Sequence, residues 1–201
     1  MNFYLIRHGQ TAWNAQHKVM GRTDVPLDSI GEQQVEETAE LMKTYEIDQI
    51  FSSPQLRAQQ TAQKIAIPHK LPVNTDERLC EMDFPRWVGK MGDALVKDEI
   101  YIARKKDIVN FSHPEVESLK SLMERTKIFL SECEKKGGNI AIVTHLDVVR
   151  AFLLHMLNEP HEKFYQFMIQ NASCTILKKQ DSGWILELMN YSKDPTKKLN
   201  I

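Results

Sequence analysis

Cysteine is scarce. Cys80, Cys133 and Cys174 are the three present among 201 residues. Their odd number and wide spacing exclude a disulfide framework and offer no zinc pattern, so they read as buried free thiols in a reducing compartment. Neither sign of charge is in excess. With 26 basic and 27 acidic side chains the net charge is −1. No global field draws the chain to nucleic acid or to a membrane surface, and any basic pocket has to be local. Long apolar runs are missing, and no basic amino-terminal segment leads into one. We therefore expect no membrane span, no signal peptide and a cytoplasmic location. Internal repeats and low-complexity tracts are missing as well.

What is present is an ordinary globular composition, 42% hydrophobic and 26% charged. That suits one sizeable core, and we expect a single domain over residues 1–201. Asn2 to Arg7 reads as a short buried strand. A helix should start at Ser29, with Glu32 completing a capping box and Val35, Ala39, Met42 and Tyr45 on its apolar face. Asp48 to Pro54 reads as a second strand running into a helix. There Ser53 is placed to cap, Pro54 suits the first turn, and Ala58, Ala62 and Ile65 share a face. Gly137 to His145 reads as a third strand. The helix before it should carry Val116, Leu119, Met123, Leu130 and Cys133, and the helix after it should span about Asp147 to Leu157. Two segments around Gln180-Asp181-Ser182-Gly183 read as a hairpin. Residues 85–112 fit a small helical insertion, and the Lys-rich tail from Asn190 is expected to fray. Alternating strands and helices followed by a hairpin give an α/β fold.

In open α/β sheets, ligands bind beyond the carboxyl ends of parallel strands. Three such ends carry polar residues: Arg7-His8-Gly9, Ser52-Ser53 with Arg57 one turn on, and Thr144-His145. The fold should bring two arginines and two histidines to one edge, a pocket for an anion. Planar guanidinium forks suit a phosphoryl group. Gly9 allows close backbone approach and can offer an amide. The start of the helix after His145 can add more amides. Among these cations one histidine is held neutral, with a lone pair free to attack phosphorus. Its other nitrogen should carry the proton, held by a backbone carbonyl. The second histidine is expected to stay cationic and steady the transition state. A carboxylic acid must protonate the leaving oxygen, and spacing does not choose among Glu77, Glu81 and Asp83.

These residues match a known pattern. "LIRHGQT" with Asn14, "SSPQLRAQQTA", "LCEMDF" followed by "RWVG", "PEVES", "IVTH" and "NAS" occur in order from residue 3 to about 176. The chain resembles the histidine phosphatase superfamily, also called the phosphoglycerate mutase-like family. The resemblance implies a three-layer α/β/α sandwich around a mostly parallel sheet with an antiparallel edge. It implies His8 as the phosphorylated nucleophile, Arg7, Arg57 and His145 as the phosphate pocket, and Glu81 as the proton donor. Gln10, Thr11 and Asn14 correspond to residues near phosphate or substrate, and Arg22 to a substrate contact. It implies neither metal nor other cofactor. Departures fall on the rim: Leu146 where the family commonly has glycine, Pro85 and Val88 in "FPRWVG", and Val116 in "PEVES".

The expectation is a phosphomonoester hydrolase acting through phosphohistidine on a small phosphorylated metabolite, the insertion serving as its lid. The alternatives are a mutase of the phosphoglycerate type and a non-catalytic phosphate-binding protein. The partners expected are a small phosphorylated substrate and, as one option, a second copy of the chain in a homodimer. Arg104-Lys105-Lys106 reads more readily as a solvated helical face than as a patch for an acidic substrate. Trp87 reads equally as packing or as substrate stacking. His17, His69, His113, His155 and His161 read as structural or exposed.

Overall fold

A computed structural model describes residues 1–192. In chain order, β1 (Asn2–Arg7) is followed by the one-turn α1 (Ala12–Ala15) and by α2 (Ser29–Met42). Next come β2 (Gln49–Ser52), α3 (Leu56–His69) and β3 (Val73–Thr75). Two short helices, α4 (Gly92–Leu95) and α5 (Glu99–Lys106), precede α6 (Leu119–Lys136). The chain then forms β4 (Ile140–Thr144), α7 (Leu146–Met156), β5 (Cys174–Gln180) and β6 (Gly183–Tyr191).

The uninterrupted apolar runs of β1 and β4 mark strands covered on both faces. Phe3, Leu5, Ile140 and Ile142 pack with α6 and α7 in one core. Tyr4, Ile6, Ala141 and Val143, the alternate residues, pack with α2 and α3 in another. Two cores on two faces of one sheet make a three-layer α/β/α sandwich. The strands run in the order β3-β2-β4-β1-β5-β6. The first four are parallel, and β5 and β6 add an antiparallel margin. No helix among the described residues is long and apolar enough to cross a membrane. The three cysteines are free and buried.

The boundaries correct several expectations. Asp28, not Ser29, caps α2, its carboxylate accepting from Gly31 N at 2.8 Å, so no capping box with Glu32 forms. The helix after β2 starts at Leu56, two residues late, because Ser53 is occupied elsewhere and Pro54 lies in the turn. β3 was not legible, since its three residues Val-Asn-Thr hold one apolar side chain. Val116 precedes α6 and packs with Trp87 and Leu95. Asn190 lies in β6 and bonds Gln170 N, Ser173 Oγ and Met168 O, so the ordered chain runs past the expected start of fraying. The remainder of that tail, 193–201, lies outside the described residues. The 85–112 segment does contain the two short helices α4 and α5.

Candidate active site

Because β2, β4 and β1 are neighbours and parallel, their carboxyl ends share one edge. Pairing continues one residue beyond each strand: His8 N donates to Thr144 O at 3.0 Å and Ser53 N to Val143 O at 3.0 Å. His145 then begins the turn into α7 with extended backbone. The rings of His8 and His145, 137 residues apart in sequence, lie 5.1 Å apart between centroids.

The partners of His8 fix its tautomer. Gly9 O can only accept, so Nδ1, 2.7 Å away, carries the proton. Arg57 Nε can only donate, so Nε2, 3.3 Å from it, holds the lone pair. Burial, then Arg57 and Arg7, push this imidazole well below its ordinary pKa. The Arg57 guanidinium is buried and fixed by Gly21 O at 2.9 Å and Thr23 O at 2.8 Å. Each terminal nitrogen keeps one further N–H. Arg7 Nη1 donates to Ile169 O at 2.6 Å, and its Nε is buried without an acceptor. Burial lowers Arg7 to about 10, still a cation at neutral pH.

His145 departs from the expected cation. Burial first, then Arg57 and His8, drive it toward neutrality. Gln55 N donates to Ser53 Oγ at 3.3 Å, and the hydroxyl lies 2.9 Å from His145 Nε2, closer than its 3.4 Å to Gln55 Oε1. The two ring nitrogens thus differ: Nε2 is engaged by the Ser53 hydroxyl, and Nδ1 is buried with no partner among the described residues. Arg7 Nε is thus a buried donor with no acceptor at the strand end that carries His8, and Nδ1 of the neighbouring His145 ring is unpartnered too. Buried donors are rarely left unpaired, so such a pocket is made for acceptor oxygens.

Glu81 follows a 3₁₀ turn, Glu77–Leu79. The turn is tied to β4 by Thr144 Oγ1 donating to Leu79 O at 2.7 Å. Burial, then the Asp147 carboxylate, raise Glu81 to about 7, so near neutral pH it is poised between acid and base. Asn14 stands in α1, its Oδ1 held by Thr11 N at 3.1 Å and Asn171 Nδ2 at 3.3 Å. No acceptor for its amide N–H groups is found among the described residues. Arg22 donates to Glu81 O at 3.2 Å and to Glu117.

Other expected contacts have their polar groups turned to structural partners. Gly9 N is not offered to a ligand but donates to Thr61 Oγ1 at 3.2 Å. What position 9 requires is closeness: a Cβ there would stand 2.7 Å from Gly31 O. Thr11 is the cap of α1, and Gln10 Nε2 donates to Asp28 at 3.2 Å. Leu146 packs half-buried against the core of α6 and α7. Trp87, 1% exposed, packs among Leu95, Val116 and Phe84.

The model of the histidine phosphatase superfamily (branch 1) matches residues 3–192. This chain belongs to that superfamily. A probable phosphoglycerate mutase, GpmB, of Enterobacter sp. (strain 638) is 30% identical, the match covering 94% of this chain and 92% of that one. Among solved structures, the α-ribazole phosphatase of Shigella flexneri is 26% identical with a TM-score of 0.85, covering 95% of this chain and 96% of that one. A phosphoserine phosphatase mutant of Entamoeba histolytica in complex with phosphoserine is 28% identical with a TM-score of 0.84, covering 96% and 98%. In this histidine phosphatase superfamily member the fold also brings to the candidate site two residues that reading the sequence missed. Gln55 is 5% exposed and bridges Gly21 O and Glu81 N at 3.1 and 2.7 Å. Asn171 Nδ2 donates to His8 O at 3.1 Å. A Gln in "SSPQLR" and an Asn in "NAS" look like solvated polar residues until the fold supplies their partners.

Proposed function

We propose that the chain is a phosphomonoester hydrolase in which His8 Nε2 attacks phosphorus. The observation that carries this reading is the locked neutral imidazole: proton on Nδ1 toward Gly9 O, lone pair on Nε2, two arginines beside it. The phosphoryl oxygens take the free N–H groups of Arg7 and Arg57, and the unpartnered Nδ1 of His145 faces them once protonated. A dianion here reverses the local field and draws His145 back toward its protonated form. Glu81, as the acid, gives its proton to the leaving alcohol. The P–O bond breaks as the N–P bond forms. The carboxylate then takes a proton from water, which attacks phosphorus, releases phosphate and restores His8. Donors held in place before reaction stabilise charge developing on the phosphoryl group. No step requires a metal. The whole chain acts as one catalytic unit, with residues 85–112 as its lid, and we place the reaction in the cytoplasm, where its buried thiols stay reduced.

His8→Ala is expected to abolish phosphate release from p-nitrophenyl phosphate, and rapid quenching of the wild-type reaction should trap an acid-labile phosphoenzyme. Saturating chelator should leave the rate unchanged. Given 3-phosphoglycerate with 2,3-bisphosphoglycerate, a hydrolase releases phosphate. Rapid isomerisation without release would instead make the chain a mutase. Phosphate binding with no turnover of any ester would leave it a binding protein.

A further inference from the structure

Arg104 in α5 is 4% exposed and has no carboxylate partner among the described residues. Its terminal nitrogens meet the Tyr165 hydroxyl and, at 3.3 Å, the Met82 sulfur, while Nε is buried without an acceptor. The expectation of a solvated helical face is therefore wrong at this residue. Enclosing a guanidinium without an opposite charge is costly. More cations gather on the same ring: Lys105 Nζ lies 4.0 Å from the Tyr165 ring centroid and the Arg150 guanidinium 5.7 Å. Arg150 is paired with Asp147 at 2.9 Å. Three cations thus meet one carboxylate, and Lys105 is lowered by burial and by Arg150 and Arg104. Tyr165 accepts from Arg104, and no acceptor for its own proton is found among the described residues.

The place of this cluster matters. Met82, in contact with Arg104, adjoins Glu81 and donates its amide to the Glu81 carboxylate at 2.9 Å. If Glu81 protonates the leaving oxygen, the rest of the leaving alcohol extends on this side. The rings of Phe84 and Tyr165 lie against the guanidinium, 5.1 and 5.7 Å from their centroids. What it has left to offer is N–H at its edge, which a planar carboxylate matches.

We propose that Arg104, Lys105 and Tyr165 form a subsite for a carboxylate on the alcohol part of the substrate, which makes that substrate a phosphorylated hydroxy acid. The inference rests on the phosphatase reading above. The test uses matched esters that differ in the carboxylate: 3-phosphoglycerate against glycerol 3-phosphate, and O-phosphoserine against O-phosphoethanolamine, with p-nitrophenyl phosphate as a plain ester. Wild-type kcat/KM should favour the carboxylated member of at least one pair by about tenfold or more, the scale of a charge-assisted hydrogen bond. Lys105→Ala, at an exposed position, and Arg104→Gln should each shrink that ratio severalfold. Because the ratio is taken within one preparation, a lower folded fraction cancels. Turnover of all esters with no preference for the carboxylate, or a stronger preference for a second phosphate in a bisphosphate ester, would overturn the subsite and leave the hydrolase reading standing. Failure of every ester, p-nitrophenyl phosphate included, would overturn both.

Discussion

At the scale of single residues, the site works by leaving groups unpaired. Arg7 Nε and His145 Nδ1 have no partner among the described residues, and His8 Nε2 meets an arginine N–H rather than a proton of its own. Glu81 is the complement, a carboxyl raised to about 7 by burial and by Asp147. In the mechanism proposed above its acid form is needed in the first step, so turnover of alkyl phosphates should decline as pH rises above about 7. Glu81→Gln should lower their turnover by about 10²–10⁴-fold, the scale of general acid catalysis. p-Nitrophenol leaves without a proton. With that ester the variant should give a burst of about one equivalent of p-nitrophenolate, followed by slow release of phosphate, because the base for water is gone. Equal losses on both esters and no burst would remove Glu81 from the role of acid. The sequence alone left Glu81 level with Glu77 and Asp83. Only the family resemblance favoured it, because burial and the nearness of Asp147 are properties of the fold.

At the scale of elements, the amino end of α2 supports the loop after His8. A Cβ on Gly31 would stand 2.0 Å from Gln10 O, while Gly9 faces Gly31 O and Val35 from the other side. Two backbones touch there, and neither is a flexible side chain that can give way. Gly31→Ala should cost on the order of 1–3 kcal/mol in urea unfolding and lower kcat as the His8 loop shifts. Unchanged stability and rate would show that the contact relaxes freely. Strands covered on both faces were readable because apolar runs need no partner to be recognised. The strand β3 and the turn at Ser53 were not. One has too few apolar residues, and in the other a hydroxyl that suits a helix cap bonds His145, a residue 92 positions away.

For the molecule as a whole, the titrating groups of the site oppose one another. His8 and His145 are held below their ordinary value of 6.5. The unfolded chain therefore binds more protons, and their contribution to stability is lost as pH falls through about 6.5 and below. Glu81 is raised from 4.5 to about 7. The folded chain binds its proton first, so stability is gained as pH falls through about 7 toward 4.5. In the comparison of wild type with Glu81→Gln the histidines cancel. The wild type should gain on the variant by up to about 1.4 kcal/mol per pH unit between pH 7 and 5, read from urea midpoints. A constant difference would mean that the carboxyl is not raised. The α/β class, the shared strand edge and its two arginines and two histidines were foreseeable from sequence. The electrostatic balance among them was not, since it depends on which groups are shut away from water.

Asn190 in the last strand grips the segment that carries Ile169 and Asn171, and these in turn hold Arg7 and the backbone of His8. A polypeptide leaving the ribosome would carry His8 from the outset, yet the grip on Arg7 and on the His8 backbone would be completed only when the last strand had emerged and paired.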